Sequence, residues 1–306
     1  MKAVLLVSTL RKILESVFSI VDDVCMDFDD NGISFQAMDS SHVSLVSVGI
    51  PLSAFSKYEC GQPVSLGIKT KALWMICKHL SGDDVSIAME YTNGSDTLDI
   101  HMESKTQDRK CDFNLKLMDI TTDRLSIPPS EPDVVISLSC SEFQKIIRDF
   151  GEVGDVVTIK VNKGDSTAQF LVKGEMYNVT LTLESGKAEL KSSVPTQNIT
   201  KKRKKTEANE TENVVENTST TSTGSTTLIQ FHPSCEYSNI QMNLACKYLA
   251  SFTKASSMCE TVRLCISKDQ PVVVEYNTVD KKEGFVHYYL APKLGDEDQE
   301  DGQQEE

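Results

Sequence analysis

The residue types best suited to chemistry in this sequence lie together in one short segment, Asp39-Ser40-Ser41-His42. An acid, two hydroxyls and an imidazole are the groups of a hydrolase triad. A triad needs side chains that converge from different elements, and neighbours in a turn cannot form that hydrogen-bonded chain. The sequence also contains no GxSxG, P-loop or GxGxxG motif. We therefore expect no catalytic site and no enzymatic activity, with His42 a loop or surface histidine.

A second segment with candidate ligands is Asp27-x-Asp29-x-Asn31-Gly32, which imitates the start of a calcium-binding EF loop. The twelfth position of such a loop is a bidentate Glu, whereas here it is Met38, and the flanking residues favour strands. The nine cysteines include no CxxC pair and no Cys/His cluster with zinc spacing. We expect a hairpin turn at the first segment, reduced thiols inside the cell, and neither a metal nor another cofactor.

Basic residues recur in pairs on four segments that have helical periodicity. One such helix is usually a solvated face. Four such helices on one side of a sheet would form a basic surface that binds phosphates without contacting specific bases, even in a chain of formal net charge −14. The pairs are Arg11 and Lys12, Lys71 and Lys78, Lys145 and Arg148, and Lys247 and Lys254.

The elements that must position these residues follow one order, a strand, a helix and then further strands, four times along the chain. The pattern predicts an α+β fold with mostly antiparallel strands, built by internal duplication. Asn31-Gly32 and Asn93-Gly94 predict tight hairpin turns, which need positive φ. The helices are predicted at Thr9–Val21 after an N-cap at Ser8, Thr70–Leu80, Ser141–Phe150 with Ser141 as the cap, and Leu244–Ala255.

Composition divides the chain into two domains, residues 1–118 and 134–294, joined by a proline-rich linker at 119–133. Residues 187–227 form a low-complexity insertion and residues 295–306 an acidic tail, and both are expected to be disordered. The apolar N-terminal run is too short for a signal peptide, and no segment reaches membrane-spanning length. The insertion carries a basic run that predicts nuclear localisation: Lys201, Lys202, Arg203, Lys204 and Lys205.

Several segments of this sequence are similar to one family. They are GISFQAMDSSHVSLV from Gly32, LKLMD from Leu115, RLSIPP from Arg124, VVVEY from Val272 and YYLAPK from Tyr288. Together they resemble the eukaryotic proliferating cell nuclear antigen family, whose members are DNA sliding clamps. The resemblance implies a DNA-clamp fold with two helices on antiparallel sheet in each domain, and a homotrimeric ring with helices inside. It also implies a nuclear processivity factor for replication and repair that encircles double-stranded DNA and recruits DNA polymerase, clamp loader and other peptide-motif proteins. A subunit of a heterotrimeric checkpoint-type clamp is the alternative.

The resemblance also implies which residues face DNA. Family basic positions fall on Phe18 and Met75 here, and a family histidine falls on Glu152, so a weaker inner field is expected. The implied DNA-facing residues are Arg11, Lys12, Lys78, Lys145, Arg148, Lys247 and Lys254.

Two further surfaces are implied by the same resemblance. Strands carrying Phe113 and Tyr177 would meet between subunits. Outside these surfaces, Lys163 matches a position that carries a ubiquitin-type modification in the family, and Pro132 stands where the family commonly has an aromatic residue in the linker. An apolar pocket would receive a partner peptide and would be formed by Met38, His42, Val43, Leu45, Leu125, Ile127, Pro128, Pro271, Tyr289, Leu290, Ala291 and Pro292.

Overall fold

The computed structural model describes residues 1–80, 82, 84–106, 108–120, 125, 131–185, 227–278 and 283–293. Most of the predicted linker, nearly all of the predicted insertion and the whole acidic tail lie outside the described residues. The same holds for the predicted pocket residues Ile127 and Pro128 and for the basic run Lys201, Lys202, Arg203, Lys204 and Lys205. Within the described residues, four α-helices and eighteen strands form the expected α+β architecture.

The N-terminal half contains two helices and nine strands in its described residues. Its elements are β1 (Lys2–Leu6), α1 (Val7–Val17), β2 (Asp23–Asp29), β3 (Gly32–Met38), β4 (Ser44–Pro51), β5 (Phe55–Glu59), β6 (Val64–Lys69), α2 (Thr70–Cys77), β7 (Val85–Glu90), β8 (Thr97–Ser104) and β9 (Arg109–Lys116).

The C-terminal half repeats the order of elements, again with two helices and nine strands in the part described. Its elements are β10 (Val134–Ser139), α3 (Cys140–Gly151), β11 (Val156–Asn162), β12 (Thr167–Lys173), β13 (Asn178–Glu184), β14 (Leu228–Phe231), β15 (Asn239–Ala245), α4 (Cys246–Phe252) with a 3₁₀ turn at Thr253–Ser257, β16 (Thr261–Ile266), β17 (Val272–Asn277) and β18 (Phe285–Leu290).

The strands form three sheets, and one of them joins the two halves. A nine-stranded sheet has the order β14-β10-β16-β17-β18-β4-β3-β2-β6, in which β18 pairs with β4 in antiparallel register. The other two sheets have the orders β5-β1-β7-β8-β9 and β13-β12-β11-β15. The last strand described, β18, therefore joins the strands of the C-terminal half to those of the N-terminal half.

The four predicted helices are present, but their ends differ from the predictions. Helix α1 follows β1 without a break, so the predicted cap Ser8 already lies inside the helix. Ser139 rather than Ser141 caps α3, since its side chain accepts a hydrogen bond from the Glu142 amide at 3.2 Å. Helix α4 ends at Phe252, and the predicted remainder is a 3₁₀ turn. Helix ends depend on these local hydrogen bonds, which the apolar spacing does not reveal.

The turn between β2 and β3 was predicted at Asn31-Gly32 and is displaced by one residue. Asp29 pairs with Gly32, so Asp30 and Asn31 form the loop. Only Gly32 has positive φ, at 127°, and a Cβ there would lie 2.1 Å from the Ile50 carbonyl oxygen. The Asp29 carboxylate accepts a hydrogen bond from the Asn31 amide at 2.7 Å and stabilises this alternative turn.

The tight two-residue turn predicted at Asn93-Gly94 does not form. Strand β7 ends at Glu90 and β8 begins at Thr97, so a longer connection joins them. Gly94 adopts positive φ at 84° within it. Strands β5 and β6 lie where no strand was predicted. The half-exposed residues of β5 lack a clear apolar alternation, whereas Val64, Leu66 and Ile68 of β6 do alternate with small or polar residues, a signal that the prediction missed.

The helices pack on the sheets through one shared core. Tyr288 of β18 stacks on Phe252 of α4 with ring centroids 4.4 Å apart, and its hydroxyl donates to the Ser16 carbonyl of α1 at 3.0 Å. Helices from both halves therefore pack on the same strand, which makes the two halves one packed unit. None of the helices described is long and apolar enough to cross a membrane.

Candidate functional site

The four helices form a layer whose outer face carries the predicted DNA-facing side chains. Helix α1 contacts α2, α3 contacts α4, and α1 also contacts the 3₁₀ turn after α4. The apolar faces of the helices are buried, so their polar faces point away from the sheets. Arg11 is half-buried, whereas the exposed members of the set are Lys12, Lys78, Lys145, Arg148, Lys247 and Lys254.

Local contacts orient three of these cations. The Lys78 ammonium lies 4.3 Å from the centroid of the Trp74 ring, and the Lys247 ammonium lies 4.8 Å from that of Tyr248. These cation–π contacts hold the amines close to the helix surface. Arg148 instead forms an ion pair with Asp149 at 3.0 Å, which offsets part of its charge.

An apolar patch interrupts the basic face in the N-terminal half. The Phe18 and Trp74 rings stack with centroids 4.4 Å apart, and Met75 beside them is 49% exposed. Two of the positions that the resemblance marked as departures, Phe18 and Met75, thus lie in the same part of the helix layer. The third, Glu152, is exposed just beyond the end of α3. The positive field is consequently weakened at these places.

The Asp39 carboxylate organises the loop between β3 and β4. One oxygen accepts hydrogen bonds from the Val43 and Ser44 amides at 2.9 and 2.6 Å. The other accepts from the Ser41 amide at 3.1 Å and from the Tyr248 hydroxyl of α4 at 3.0 Å. Burial alone would raise the pKa of the Asp39 carboxyl, but these hydrogen bonds outweigh it and hold the pKa below its ordinary value.

This arrangement leaves no triad in the segment. His42 is exposed and has a left-handed backbone with φ of 56°. In the described part of the chain, the hydrogen bonds to Asp39 come from backbone amides and Tyr248, with none from the imidazole. Asp39 therefore supports the loop instead of polarising a histidine.

The segment that imitates an EF loop also has structural contacts. The Asp27 carboxylate accepts a hydrogen bond from the Ser65 hydroxyl, and the Tyr58 hydroxyl donates to the Asp29 carbonyl at 2.8 Å. Among the residues that the structure describes, no group of three or more His, Cys, Asp or Glu side chains could hold a metal ion.

The strand register aligns an apolar row on the sheet face that points away from the helices. Met38 pairs with Leu45, and Leu45 with Tyr289. Tyr289 pairs with Val273, and Val273 with Cys265. Directly paired residues share a face, and the next residue along β18, Tyr288, points to the helices. On the sheet face opposite the helices, the row therefore crosses the junction of the two halves. We call it the outer apolar row.

Apart from Leu125 of the linker, the remaining described pocket residues lie at the ends of these strands. Ala291 donates its amide to the Val43 carbonyl at 3.0 Å, which places the segment after β18 beside the β3–β4 loop. Pro292 is half-buried there, Pro271 is exposed before β17, and Leu125 is 45% exposed. The structure thus brings the N-terminal and C-terminal parts of the predicted pocket together.

The side chain of Leu290 does not line the pocket as predicted. Its side chain is fully buried in the core because it follows Tyr289 on the strand and points to the opposite face. Only its backbone can line the outer surface.

Two residues of the row, Val273 and Cys265, were missed from the sequence. Burial raises the pKa of the Cys265 thiol to about 12, so this thiol stays protonated and apolar in character. Burial also raises the pKa of Tyr289. The alternation in VVVEY predicts that Val273 shares a face with Glu275, but not which face is buried.

The residues predicted at a subunit contact lie beside two free strand edges. Phe113 is on β9, at the edge of the five-stranded sheet, and its ring lies 5.1 Å from that of His79. Tyr177 directly precedes β13, at the edge of the four-stranded sheet, and is 60% exposed. A groove of about 790 Å³ runs beside β13, and its lining includes Ile146, Phe150, Tyr177, Val179 and Leu181. No strand of the described chain covers either edge.

Lys163 lies just after β11. Its ammonium donates a hydrogen bond to the Cys235 carbonyl at 2.6 Å, although the residue is exposed overall. The amine is therefore held against the loop that follows β14.

Comparison with known families agrees with this geometry. Residues 3–125 match the family described as "Proliferating cell nuclear antigen, N-terminal domain". Residues 126–204 and 235–293 match "Proliferating cell nuclear antigen, C-terminal domain". The two matches meet within the predicted linker and together cover most of the chain. The chain therefore belongs to the proliferating cell nuclear antigen family of DNA sliding clamps.

Proposed function

We propose that this sliding clamp works as a homotrimeric ring that encircles duplex DNA and tethers replicative polymerase and repair proteins to it. The observation that carries the proposal is the helix layer, which presents cations outward in a chain of formal net charge −14. A ring with this layer inside would set a basic surface against the phosphates and leave the acidic surface outside. Such contacts are independent of base sequence, as sliding requires.

The two free strand edges support ring closure. Strand β9 and strand β13 belong to different sheets, so pairing β9 of one copy with β13 of the next is a heterologous contact. Heterologous contacts give closed rings when the rotation between copies closes. The groove beside β13 would receive the apolar residues of β9, with Phe113 the principal side chain.

Partner recruitment is proposed at the outer apolar row and the segments around it. Met38, Leu45, Tyr289 and Val273 lie on four successive strands of the sheet, with the half-buried Val43 and Pro292 nearby. An apolar strip at the junction of two halves suits the aliphatic and aromatic anchors of a short peptide. The linker residues Leu125, Ile127 and Pro128 would form the other wall.

The assembly is tested by the native mass of the purified full chain. A homotrimer has three times the 33.9 kDa mass of one chain, and we expect that species in sedimentation and native mass spectrometry. Retention on closed circular DNA but release after its linearisation would show encirclement. A chain that stays monomeric alone and assembles only with two other subunits would instead support the heterotrimeric checkpoint-type clamp.

The pocket is tested by peptide binding. Changing Leu125 and Ile127 to alanine should abolish binding of a peptide with one aliphatic and two aromatic anchors, while the trimer stays intact. Val273→Lys, on the sheet side of the same pocket, should have the same effect because it puts a charge in the apolar row. Leu228→Ala, at an exposed position on β14, is the control. Unchanged affinity in both pocket variants would place the binding site elsewhere.

Nuclear import through Lys201–Lys205 and modification of Lys163 are proposed on the sequence resemblance and on composition. For Lys163 the hydrogen bond to the Cys235 carbonyl sets a condition, since modification requires the amine to leave this partner.

A further inference from the structure

Two thiols that are distant in sequence lie next to each other on the C-terminal half. Cys140 Sγ and Cys259 Sγ are 3.9 Å apart although the residues are 119 positions apart. Cys140 is the first residue of α3, and Cys259 lies in the short connection between the 3₁₀ turn and β16. In the described part of the chain, this is the only thiol pair in hydrogen-bond contact.

The backbone holds the two cysteines in neighbouring strand extensions. Ser139 pairs with Thr261 at the end of the β10–β16 ladder, and the Cys140 amide donates to the Glu260 carbonyl at 2.8 Å. Cys259 is therefore the neighbour of the residue that Cys140 contacts, and its sulfur needs to approach that of Cys140 by only about 2 Å to reach the length of a disulfide bond. The connection carrying Cys259 is short and irregular, so it can supply the movement that bond formation needs.

The two thiols differ in access and in acidity. Cys140 is 3% exposed, whereas Cys259 is half-buried and can be reached from solvent. A hydrogen bond from the Cys140 thiol holds the pKa of Cys259 below its ordinary value, and the same contact together with burial raises the pKa of Cys140. Because Cys259 is the thiol that solvent can reach, it is positioned to react first, and Cys140 beside it is positioned to resolve its oxidised form.

We propose that Cys140 and Cys259 form a reversible dithiol–disulfide site that a small peroxide oxidises. The Cys259 thiolate attacks a peroxide oxygen, the O–O bond breaks, and sulfenic acid and hydroxide form. The Cys140 thiol then attacks the sulfenic sulfur, the S–O bond breaks, and a disulfide and water form. The sulfur pair loses two electrons and the peroxide gains them, so that two thiols and hydrogen peroxide give one disulfide and two waters. A dithiol reductant reverses the reaction.

The cross-link would tie the first turn of α3 to the connection before β16. Helix α3 packs on the 3₁₀ turn, which also contacts α1, so the bond would brace the helix layer. A disulfide that closes a loop of this length restricts the unfolded chain. We expect the oxidised protein to melt about 5–10 °C higher than the reduced protein. This inference does not depend on the proposed assembly or on partner binding.

The test treats the reduced full-length protein with hydrogen peroxide, followed by alkylation, proteolysis and mass spectrometry without reductant. We expect one peptide pair joined through Cys140 and Cys259, which dithiothreitol separates. If Cys259 is driven to sulfinic acid without a cross-link, or if both thiols stay reduced, the proposal is overturned. This result comes from the unmutated protein and is independent of variant folding.

Three variants separate the roles. Cys140→Ser should leave Cys259 as a sulfenic acid that a dimedone-type reagent traps, and Cys259→Ser should leave Cys140 unreacted. Cys246→Ser is the matched control, because Cys246 is, like Cys140, the buried first residue of its helix, and it should cross-link like the unmutated protein. Equal trapping of Cys259 sulfenic acid in the unmutated protein and Cys140→Ser would contradict the resolving role of Cys140.

Discussion

Asp39 and Tyr248 show how single residues connect distant parts of this protein. Asp39 lies in the loop beside the outer apolar row, and Tyr248 lies on α4, whose Lys247 belongs to the basic face. One hydrogen bond thus links the loop of the N-terminal half to a helix of the C-terminal half. The acid of the segment that resembles an active site therefore has a supporting role.

Tyr248→Phe removes the hydroxyl that donates to Asp39 and leaves the rest of the ring in place. We expect the free energy of unfolding to fall by about 1–2 kcal/mol, because a hydrogen bond to a buried carboxylate is lost. Peptide affinity should fall as well, since the Val43 loop loses an anchor. Chemical denaturation and calorimetric titration measure the two effects.

The matched control for this variant is Tyr237→Phe, since Tyr237 is 41% exposed and lies outside the pocket. If both variants unfold at the same denaturant concentration as the unmutated protein, Tyr248 does not stabilise the loop.

Asp39 also predicts a pH dependence of stability. Its pKa is lower in the folded protein than in the unfolded chain, so the unfolded chain binds more protons at acidic pH. The stabilisation is fully present above the unfolded pKa, near 3.9, and is lost as the pH falls through the folded pKa. Thermal unfolding between about pH 2 and 6 should show this loss. Asp39→Asn should flatten the profile, and an equally steep profile in that variant would assign the loss to other carboxylates.

At the scale of elements, β9 and β13 are two of the six strands that lie at the edges of the sheets in the described chain. A free edge presents unpaired backbone groups that invite another strand. Both edges carry half-buried or exposed apolar side chains, with Phe113 on one and Val179 and Leu181 on the other. Pairing with another copy would cover both.

Phe113→Ala should weaken this assembly. Loss of a central interface aromatic typically costs about 2–4 kcal/mol, so the trimer should dissociate at concentrations at which the unmutated protein stays intact. Sedimentation across a dilution series gives the measurement. Leu228→Ala, on the edge strand β14, should sediment like the unmutated protein. A trimer as stable in Phe113→Ala as in the unmutated protein would move the interface away from β9.

At the scale of the whole molecule, charge is distributed by layer. The chain has a formal net charge of −14, yet the outer face of the helix layer carries the cations named above. Net charge therefore gives the wrong sign for the surface proposed to meet DNA. Field and counterion effects follow the local surface and not the sum.

Reversing two of these charges, Lys78→Glu with Lys254→Glu, should weaken retention on circular DNA about tenfold or more and reduce its salt dependence. The control, Lys57→Glu with Lys160→Glu, makes the same charge change at exposed strand residues. Retention measured over a series of salt concentrations compares the two. Equal loss in both variants would indicate an effect of net charge rather than of the helix layer.

Local patterns were sufficient for much of this protein. The α+β class, the four helices and most strands follow from apolar spacing, and segments such as MDSSHVSLV and YLAPK were sufficient to indicate the family. These features depend on residues that are neighbours in the chain. The errors lie at strands β5 and β6, which were not predicted, and at helix caps and turns, where single hydrogen bonds to the side chains of Ser139 and Asp29 determine the outcome.

The contacts that complete the site depend on strand pairing between distant segments. The pairing of β18 with β4 aligns Tyr289 with Leu45 and turns Leu290 into the core. Packing of α4 brings Tyr248 to Asp39, and the β10–β16 ladder brings Cys140 to Cys259. Residues this far apart leave no periodic signal in the sequence, because their proximity is set by register and packing. The sequence thus determined what kind of protein this is, and the fold decided which of its side chains meet.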